Sequence, residues 1–345
     1  MKHPTVKTAL ILLTFLTSEA LFASGSGDHS RSDTGTRAVL PEGHPLVHWR
    51  ANDSIGDWYF EIGSGNRIFL IDSLGNRLEL KELNSFVITS AGAIETFYMI
   101  GAEDRISAIG TSRAGIWPED KTADLPSVGN LARPSFEKII AAEPDLTIIN
   151  GMNSDLAQQL TAVGIPVLVH NPGSIEEIIN SILVLGILSG TKEKAVELVS
   201  ERWGALQKIQ NELNEEPLNL KGAFVYALEP LQAFSIESLP GEILKILGVS
   251  NIAASTSGQR PILTTEYILQ QNPDFLFGAM SINNEKDLLN ANSAITKTRA
   301  GQEKNIFIIP SQLILRPSPR IIDALSMLHE KLKEIGPAST DGEAD

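Results

Sequence analysis

Residues 191–213 read TKEKAVELVSERWGALQKIQNEL. Apolar residues recur there at intervals of three and four, which places them on one face of a helix: Ala195, Val196, Val199, Trp203, Leu206, Ile209 and Leu213. Thr191 is a candidate N-cap, and Pro217 follows the end of the pattern. Such a helix would be roughly 35 Å long, about the width of a small domain. It is either a rigid connection between two lobes or a long helix packed on one core.

Strand-like and helical segments alternate on both sides of this helix. The chain before it contains short apolar runs at 86–88, 105–110, 145–149 and 166–169, and the chain after it contains others at 223–228, 274–277 and 305–310. Strands that alternate with helices at this spacing form mainly parallel sheets covered on both faces. The sequence therefore predicts an α/β fold of two Rossmann-like lobes with mainly parallel sheets, joined by a single long helix.

Composition restricts the classes of partner and chemistry. The chain has 345 residues, a net charge of -14 and no cysteine. The charge argues against a nucleic-acid partner, because phosphate binding requires clustered Lys and Arg. The absence of cysteine excludes disulfides, thiolate metal sites and cysteine nucleophiles.

The N-terminus has the pattern of a secretory signal peptide. Lys2 and Lys7 precede an apolar run at 9–16, which is too short to span a bilayer comfortably, and small residues follow. The predicted division of the chain is a signal peptide (1–25), a leader and N-terminal extension with a hairpin (26–84), the N-terminal lobe (85–190), a linker helix (191–216), the C-terminal lobe (217–336) and a tail (337–345). Residues 40–65 have no assigned role, and His44 and His48 are interpreted as surface or packing residues rather than metal ligands.

One motif occurs twice. PSFEKIIAAEPDLTII places Glu137 seven residues before Pro144, and LTTEYILQQNPDFLF places Glu266 seven residues before Pro273. Each glutamate lies in the first turn of a predicted short helix. A carboxylate there is often explained by the helix dipole alone. A matched pair in equivalent positions indicates two lobes of one design.

The chain resembles the periplasmic substrate-binding proteins of ABC importers. The resemblance rests on the two segments above and on four others: IDSLGNRLEL, FVITSAGAIETFYMIGAEDRISAIG, LPSVGNLARPSFEKI and RPSPRIIDAL. The resemblance is to the class with a helical backbone that binds ferric siderophores, haem or cobalamin, and it covers about residues 66–335. It implies that Glu137 and Glu266 dock on arginines of a permease dimer in the inner membrane. It also implies a monomeric periplasmic protein that is not an enzyme.

Ligands of α/β lobes bind beyond the carboxyl ends of the strands. Four arginines fall in the loops predicted there, and a guanidinium is a natural partner of carboxylate, catecholate or oxyanion oxygens. The predicted ligand-binding residues are Arg113, Trp117, Arg133, Arg260 and Arg316. Trp117 would either stack on a ligand ring or cover the lobe. Arg320 is expected to make a structural contact.

The identity of the ligand stays open at this stage. An anionic ferric siderophore fits the arginines best, and molybdate or tungstate comes next. Some haem-binding members carry a Tyr where this chain has Asn130, so haem ligation of that kind is disfavoured. Cobalamin would require a more apolar cleft. We expect no bound metal ion, no cofactor and no catalytic residue, because the chain lacks P-loop, G-x-S-x-G and H-E-x-x-H motifs. A secreted α/β enzyme and a structural or adhesive protein are the alternatives.

Overall fold

The computed structural model describes residues 54–55, 58–62, 68–72, 74–256 and 260–336. The predicted signal peptide, most of the leader and the C-terminal tail lie outside the described residues, as do His44, His48, Gly258 and Gln259. Among the described residues, no helix has the length and apolar character that a membrane crossing requires.

The described N-terminal extension forms an antiparallel sheet in the order β1–β2–β3–β4. Its strands are β1 (Ser54–Ile55), β2 (Trp58–Ile62), β3 (Ile68–Ile71) and β4 (Arg77–Glu79). The hairpin predicted in this segment is confirmed as β3 and β4. Asp72 Oδ1 accepts hydrogen bonds from the backbone N–H of Leu74 and Asn76, and Gly75 adopts the left-handed φ of +80° that the turn requires.

The first lobe contains a six-stranded sheet in the order β10–β9–β5–β6–β7–β8. The pairs are parallel except for β7 with β8. The strands are β5 (Phe86–Ile88), β6 (Ile106–Thr111), β7 (Ser127–Asn130), β8 (Arg133–Pro134), β9 (Leu146–Asn150) and β10 (Val167–His170). The helices are α1 (Ala91–Met99), α2 (Glu119–Thr122), α3 (Phe136–Ala141), α4 (Ser154–Ala162) and α5 (Ile175–Leu188).

The long helix α6 (Lys192–Glu215) has 24 residues and follows the first lobe. Thr191 occupies the N-cap position, but the predicted cap is wrong in its chemistry, because the Thr191 side chain makes no capping hydrogen bond. Its hydroxyl instead lies 2.8 Å from the Ser189 hydroxyl. The buried face includes Arg202, which pairs with Asp323.

The second lobe has the sheet order β12–β11–β14–β15, with β13 paired to β11. Only the β11–β12 pair within the described part of this sheet is antiparallel. The strands are β11 (Lys221–Leu228), β12 (Leu231–Ala233), β13 (Ser250–Asn251), β14 (Phe275–Gly278) and β15 (Ile306–Ile308). The helices are α7 (Leu239–Ile246), α8 (Thr265–Gln271), α9 (Glu285–Ala291), α10 (Arg299–Gln302), α11 (Ser311–Ile314) and α12 (Ile321–Lys333).

The largest hydrophobic cluster runs through both lobes and the helix between them. It includes Phe97 of the first lobe, Val199 of α6, and Phe224 and Leu325 of the second lobe. Two smaller clusters cover the other faces of the two parallel sheets. The helix α6 is therefore both the connection between the lobes and part of a shared core, which combines the two roles predicted for it.

Candidate functional site

Loops that follow the carboxyl ends of strands in the two lobes meet around one buried carboxylate. Glu95 on α1 is fully buried. Its Oε1 lies 2.9 Å from Arg316 Nη1, and its Oε2 accepts a hydrogen bond of 2.7 Å from the Ser318 hydroxyl. Arg320 Nη1 lies 3.6 Å from the same carboxylate. Since α1 follows β5 and the other three residues follow β15, the carboxyl-end loops of both sheets face each other here.

The backbones also approach closely at this contact, which we call the interlobe cluster (Glu95, Arg316, Ser318 and Arg320). A Cβ atom on Gly92 would lie 2.0 Å from the Pro317 carbonyl oxygen. Only a residue without a side chain allows α1 and the Pro317 loop to pack at this distance. The glycine thus permits the buried ion pair to form.

Arg316 therefore has two protein partners, Glu95 and the Gly115 carbonyl oxygen, which accepts from Nη2. Its role in ligand binding stays a prediction. Arg320 makes the structural contact expected of it, with Glu95 and with Trp117, whose ring centroid lies 5.2 Å from the guanidinium carbon. Trp117 keeps 38% of its surface exposed, so one part of the ring is available to a ligand.

The other three predicted arginines are exposed at the carboxyl edges of the sheets. Arg113 follows β6, and Arg133 pairs with Asn130 at the carboxyl end of β7. Arg260 precedes Ile262, which bridges to Gln232 of β12 beside the carboxyl end of β11. Asn130, where haem-binding relatives were expected to carry a Tyr, stabilises its own turn by accepting a hydrogen bond of 2.9 Å from the Ala132 N–H.

Sequence reasoning missed the apolar side chains at the same edges. Met152 follows β9 and is 77% exposed, Met280 follows β14 and is 55% exposed, and Ile262 is 48% exposed. Met280 also has a positive φ of 57°, which is uncommon for a residue with a side chain. The edges therefore expose apolar groups as well as guanidinium groups. Single Met and Ile residues in loops carry no sequence signal that would have identified them.

Glu137 and Glu266 occupy equivalent positions in the two lobes. Each lies in the first turn of a short helix, α3 or α8, and each is exposed. Backbone hydrogen bonding and then the Ser135 hydroxyl, which donates to Glu137 Oε2 at 3.0 Å, lower the pKa of Glu137. Within residues 74–256 and 260–336, no hydrogen bond or ion pair joins either glutamate to another element.

The Pro-Asp half of the repeat has a structural role in both lobes. Asp145 Oδ2 accepts hydrogen bonds from the N–H groups of Asn84 and Ser85, just before β5. Asp274 Oδ2 accepts from the N–H of Lys221, at the start of β11. Each aspartate fixes the beginning of the central strand of its sheet. The fold thus explains the aspartates of the motif. Within the described residues the two glutamates make no hydrogen bond or ion pair with another element, and the hydrogen bonds of Glu137 are local to the first turn of its own helix.

Three comparisons with known proteins agree with this architecture. Residues 87–313 match the family model described as periplasmic binding protein. The chain is 24% identical over 249 residues to the vitamin B12-binding protein of Vibrio parahaemolyticus, covering 70% of this chain and 87% of that protein. It is 25% identical over 218 residues to the petrobactin-binding protein YclQ of Bacillus subtilis, covering 60% and 66%.

Among solved structures, the chain is similar to the apo form of the periplasmic haem-binding protein RhuT of Roseiflexus sp. RS-1. The TM-score is 0.65 at 19% identity, and the match covers 73% of this chain and 99% of that chain. Similarity at this level of identity shows the shared fold alone. It confirms the predicted two-lobe α/β architecture.

Proposed function

Because the chain belongs to the periplasmic binding protein family, we propose that it is the non-enzymatic solute-binding component of an ABC importer. It takes up a small-molecule ligand between the lobes and delivers it to a permease dimer in the inner membrane. This role places the protein in the periplasm as a monomer, after removal of the N-terminal signal peptide predicted from the sequence.

The ligand that we propose is an anionic iron chelate of the ferric siderophore class. The observation that carries this proposal is the exposure of Arg113, Arg133 and Arg260 at the carboxyl edges of the two sheets in a chain of net charge -14. Planar guanidinium groups pair well with catecholate and carboxylate oxygens, and Arg316 would add a fourth if ligand binding released it from Glu95. The curated relative named for petrobactin binding supports this class.

A corrinoid such as cobalamin is the second candidate. It is favoured by the exposed apolar side chains of Trp117, Met152, Ile262 and Met280, and by the relative named for vitamin B12 binding. A large, largely neutral ring system would use these apolar contacts more than the arginines. Haem and molybdate or tungstate remain further alternatives for the same cleft.

We propose that Glu137 and Glu266 dock the protein on the permease. Both carboxylates are exposed on equivalent helices of the two lobes. An exposed carboxylate whose hydrogen bonds are local, such as that of Glu137 with Ser135, is accessible to an arginine of a partner.

The ligand is tested by titration calorimetry with ferric siderophores, cobalamin, haem and molybdate, after mass spectrometry of the small molecules that co-purify from the native host. For a ferric siderophore, Arg113→Ala or Arg133→Ala should weaken binding by about tenfold or more, as expected for the loss of a charged hydrogen bond. Arg77→Ala is the matched control, because Arg77 is an exposed arginine that pairs with Glu61 in the N-terminal sheet.

Binding of cobalamin that is indifferent to both arginine substitutions would replace the siderophore with the corrinoid. Chemical turnover of a co-purified molecule would contradict the solute-binding function as a whole.

A further inference from the structure

A cavity of about 610 Å³ lies where the C-terminal ends of α6 and α12 meet. Its wall includes Glu212, Glu215 and Glu216 from the end of α6, and His329 and Lys333 from α12. The last turn of α6 contains no basic residue. Because the C-terminal end of a helix carries partial negative charge, three carboxylates there repel the helix end and one another. Lys333 offsets part of this repulsion, and a divalent cation in the cavity would offset more of it.

His329 is buried at the wall of this cavity, with only 3% of its surface exposed. Its Nδ1 lies 3.8 Å from Glu212 Oε2 and 3.9 Å from Glu330 Oε1, too far for a hydrogen bond to either. Within the described part of the chain, its imidazole makes no hydrogen bond. Neither ring nitrogen of His329 is a fully enclosed atom without a partner among the described residues, so a ligand in the cavity that His329 lines can reach the imidazole.

One ligand atom each from Glu212, His329 and Glu330 lies within 4.8 Å of the others. In a tetrahedral zinc site, bonds of roughly 2.1 Å separate neighbouring ligand atoms by about 3.4 Å. Small side-chain rotations would close the observed separations to this value. We propose that these three residues bind a divalent transition-metal ion, with Zn²⁺ the best match.

The mixed ligand set supports a transition metal rather than Ca²⁺ or Mg²⁺. Calcium and magnesium take oxygen ligands, whereas an imidazole nitrogen beside carboxylates suits Zn²⁺ and its neighbours. The site lies at the ends of α6 and α12, not among the carboxyl-edge loops of the proposed ligand cleft. The sequence analysis expected no bound metal ion. Glu212 and His329 are far apart in the chain, so no local motif marks this site.

Lys333 occupies the cation position in the structure. Its Nζ lies 3.1 Å from Glu212 Oε2 and 3.7 Å from Glu330 Oε1. Its side chain is 43% exposed, so the ammonium group can move into solvent when a metal ion arrives. Lys333 thus competes with the metal for the same carboxylates. Removing its charge should therefore strengthen metal binding, whereas removing a ligand should weaken it.

The test is calorimetric titration of free Zn²⁺, without any chelate, into the full-length protein after treatment with a chelator. We expect Glu212→Gln to weaken Zn²⁺ binding by at least about tenfold and Lys333→Gln to strengthen it. Glu197→Gln, which neutralises an exposed carboxylate elsewhere on α6, should leave the affinity unchanged. Zn²⁺ should also raise the melting temperature of the wild-type protein more than that of the Glu212→Gln variant.

Glu212 is a suitable site for this test because its side chain is partly exposed, so the variant does not create a gap in the core. Failure of the wild-type protein to bind Zn²⁺ would overturn the proposal. Binding that is equal in the wild-type protein and in Glu212→Gln would also overturn it, by placing the ion elsewhere.

Discussion

The imidazole of His170 sets a limit on the stability of the protein at low pH. The ring is fully buried at the carboxyl end of β10, where Nδ1 lies 2.9 Å from the Ser90 hydroxyl and Trp58 stacks at 6.3 Å. Its Nε2 has no hydrogen-bond partner within the described residues. Burial lowers the pKa of His170 from 6.5 to about 4, since a charged ring would lose its hydration.

The lowered pKa of His170 makes the free energy of unfolding depend on pH. Between pH 6.5 and 4 the unfolded chain binds the proton more readily than the folded protein does, so stability falls as the pH falls through this window. From pH 7 to pH 5 we expect His170 to contribute a loss of about 2 kcal/mol in the free energy of unfolding. Urea denaturation at the two pH values measures it.

His170→Gln is the variant that isolates this contribution, because its side chain is polar and does not titrate. We expect its free energy of unfolding to fall less than that of the wild-type protein between pH 7 and 5. An equal fall in both proteins would show that other groups cause the pH dependence.

At the scale of elements, the contact between α1 and the segment after β15 depends on Glu95. Removing one partner of a buried ion pair leaves the other charge buried and unpaired. Glu95→Ala should therefore lower the free energy of unfolding by about 3 kcal/mol or more, because Arg316 and Ser318 lose their shared acceptor. Denaturation by urea measures the difference.

The pair between Arg77 and Glu61 provides the control, since both side chains are exposed by more than a third. Glu61→Ala should cost less than about 1 kcal/mol, as is usual for ion pairs in solvent. Similar losses in the two variants would mean that burial of Glu95 adds nothing to the strength of its contacts.

Elements marked by apolar periodicity or by a continuous apolar run were predictable from the sequence, including strands as short as β5 and β15. Apolar spacing identified α6, a glycine turn between alternating residues identified the hairpin of β3 and β4, and the repeated Glu and Pro-Asp motif identified α8. The strands β7, β8 and β12 were missed because they read SVGN, RP and LQA, which contain no continuous apolar run. The face of α6 predicted to be buried was also incomplete, because it left out Arg202. This residue is charged, and its partner Asp323 is distant in sequence.

The sequence also predicted only part of the candidate site. The sequence placed Arg113, Arg133 and Arg260 in loops at the carboxyl edges. The structure has all three at these edges, but Arg133 belongs to the short strand β8 rather than to a loop. It did not reveal that Glu95 binds Arg316, because the two residues are separated by 221 positions and Glu95 lies within an otherwise apolar helix. Hydrogen bonds between such distant residues are created by the fold and leave no local pattern.

At the scale of the whole molecule, the docking that we propose would require both lobes to present their glutamates to the permease together. The double variant with Glu137→Ala and Glu266→Ala should abolish uptake of the ligand by cells while leaving its affinity for the purified protein nearly unchanged. The physical reason is that the arginines expected on the permease would lose their carboxylate partners, whereas neither substitution changes the proposed ligand-binding residues. Transport assays and calorimetry measure the two quantities separately.

Glu143→Ala with Glu285→Ala is a matched control, because it also removes one exposed glutamate from each lobe. Its uptake should equal that of the wild-type protein. A loss of ligand affinity in the Glu137→Ala and Glu266→Ala protein would instead assign the glutamates to ligand binding.

The order of strands along the chain has a consequence for how the molecule is assembled during synthesis. Every strand of the six-stranded sheet precedes α6, and every strand of the second parallel-rich sheet follows it. The first lobe can therefore complete its sheet while the second is still being made. The interlobe cluster must wait for Arg316, so the two lobes can be joined at this contact only after the last strand, β15, has been made.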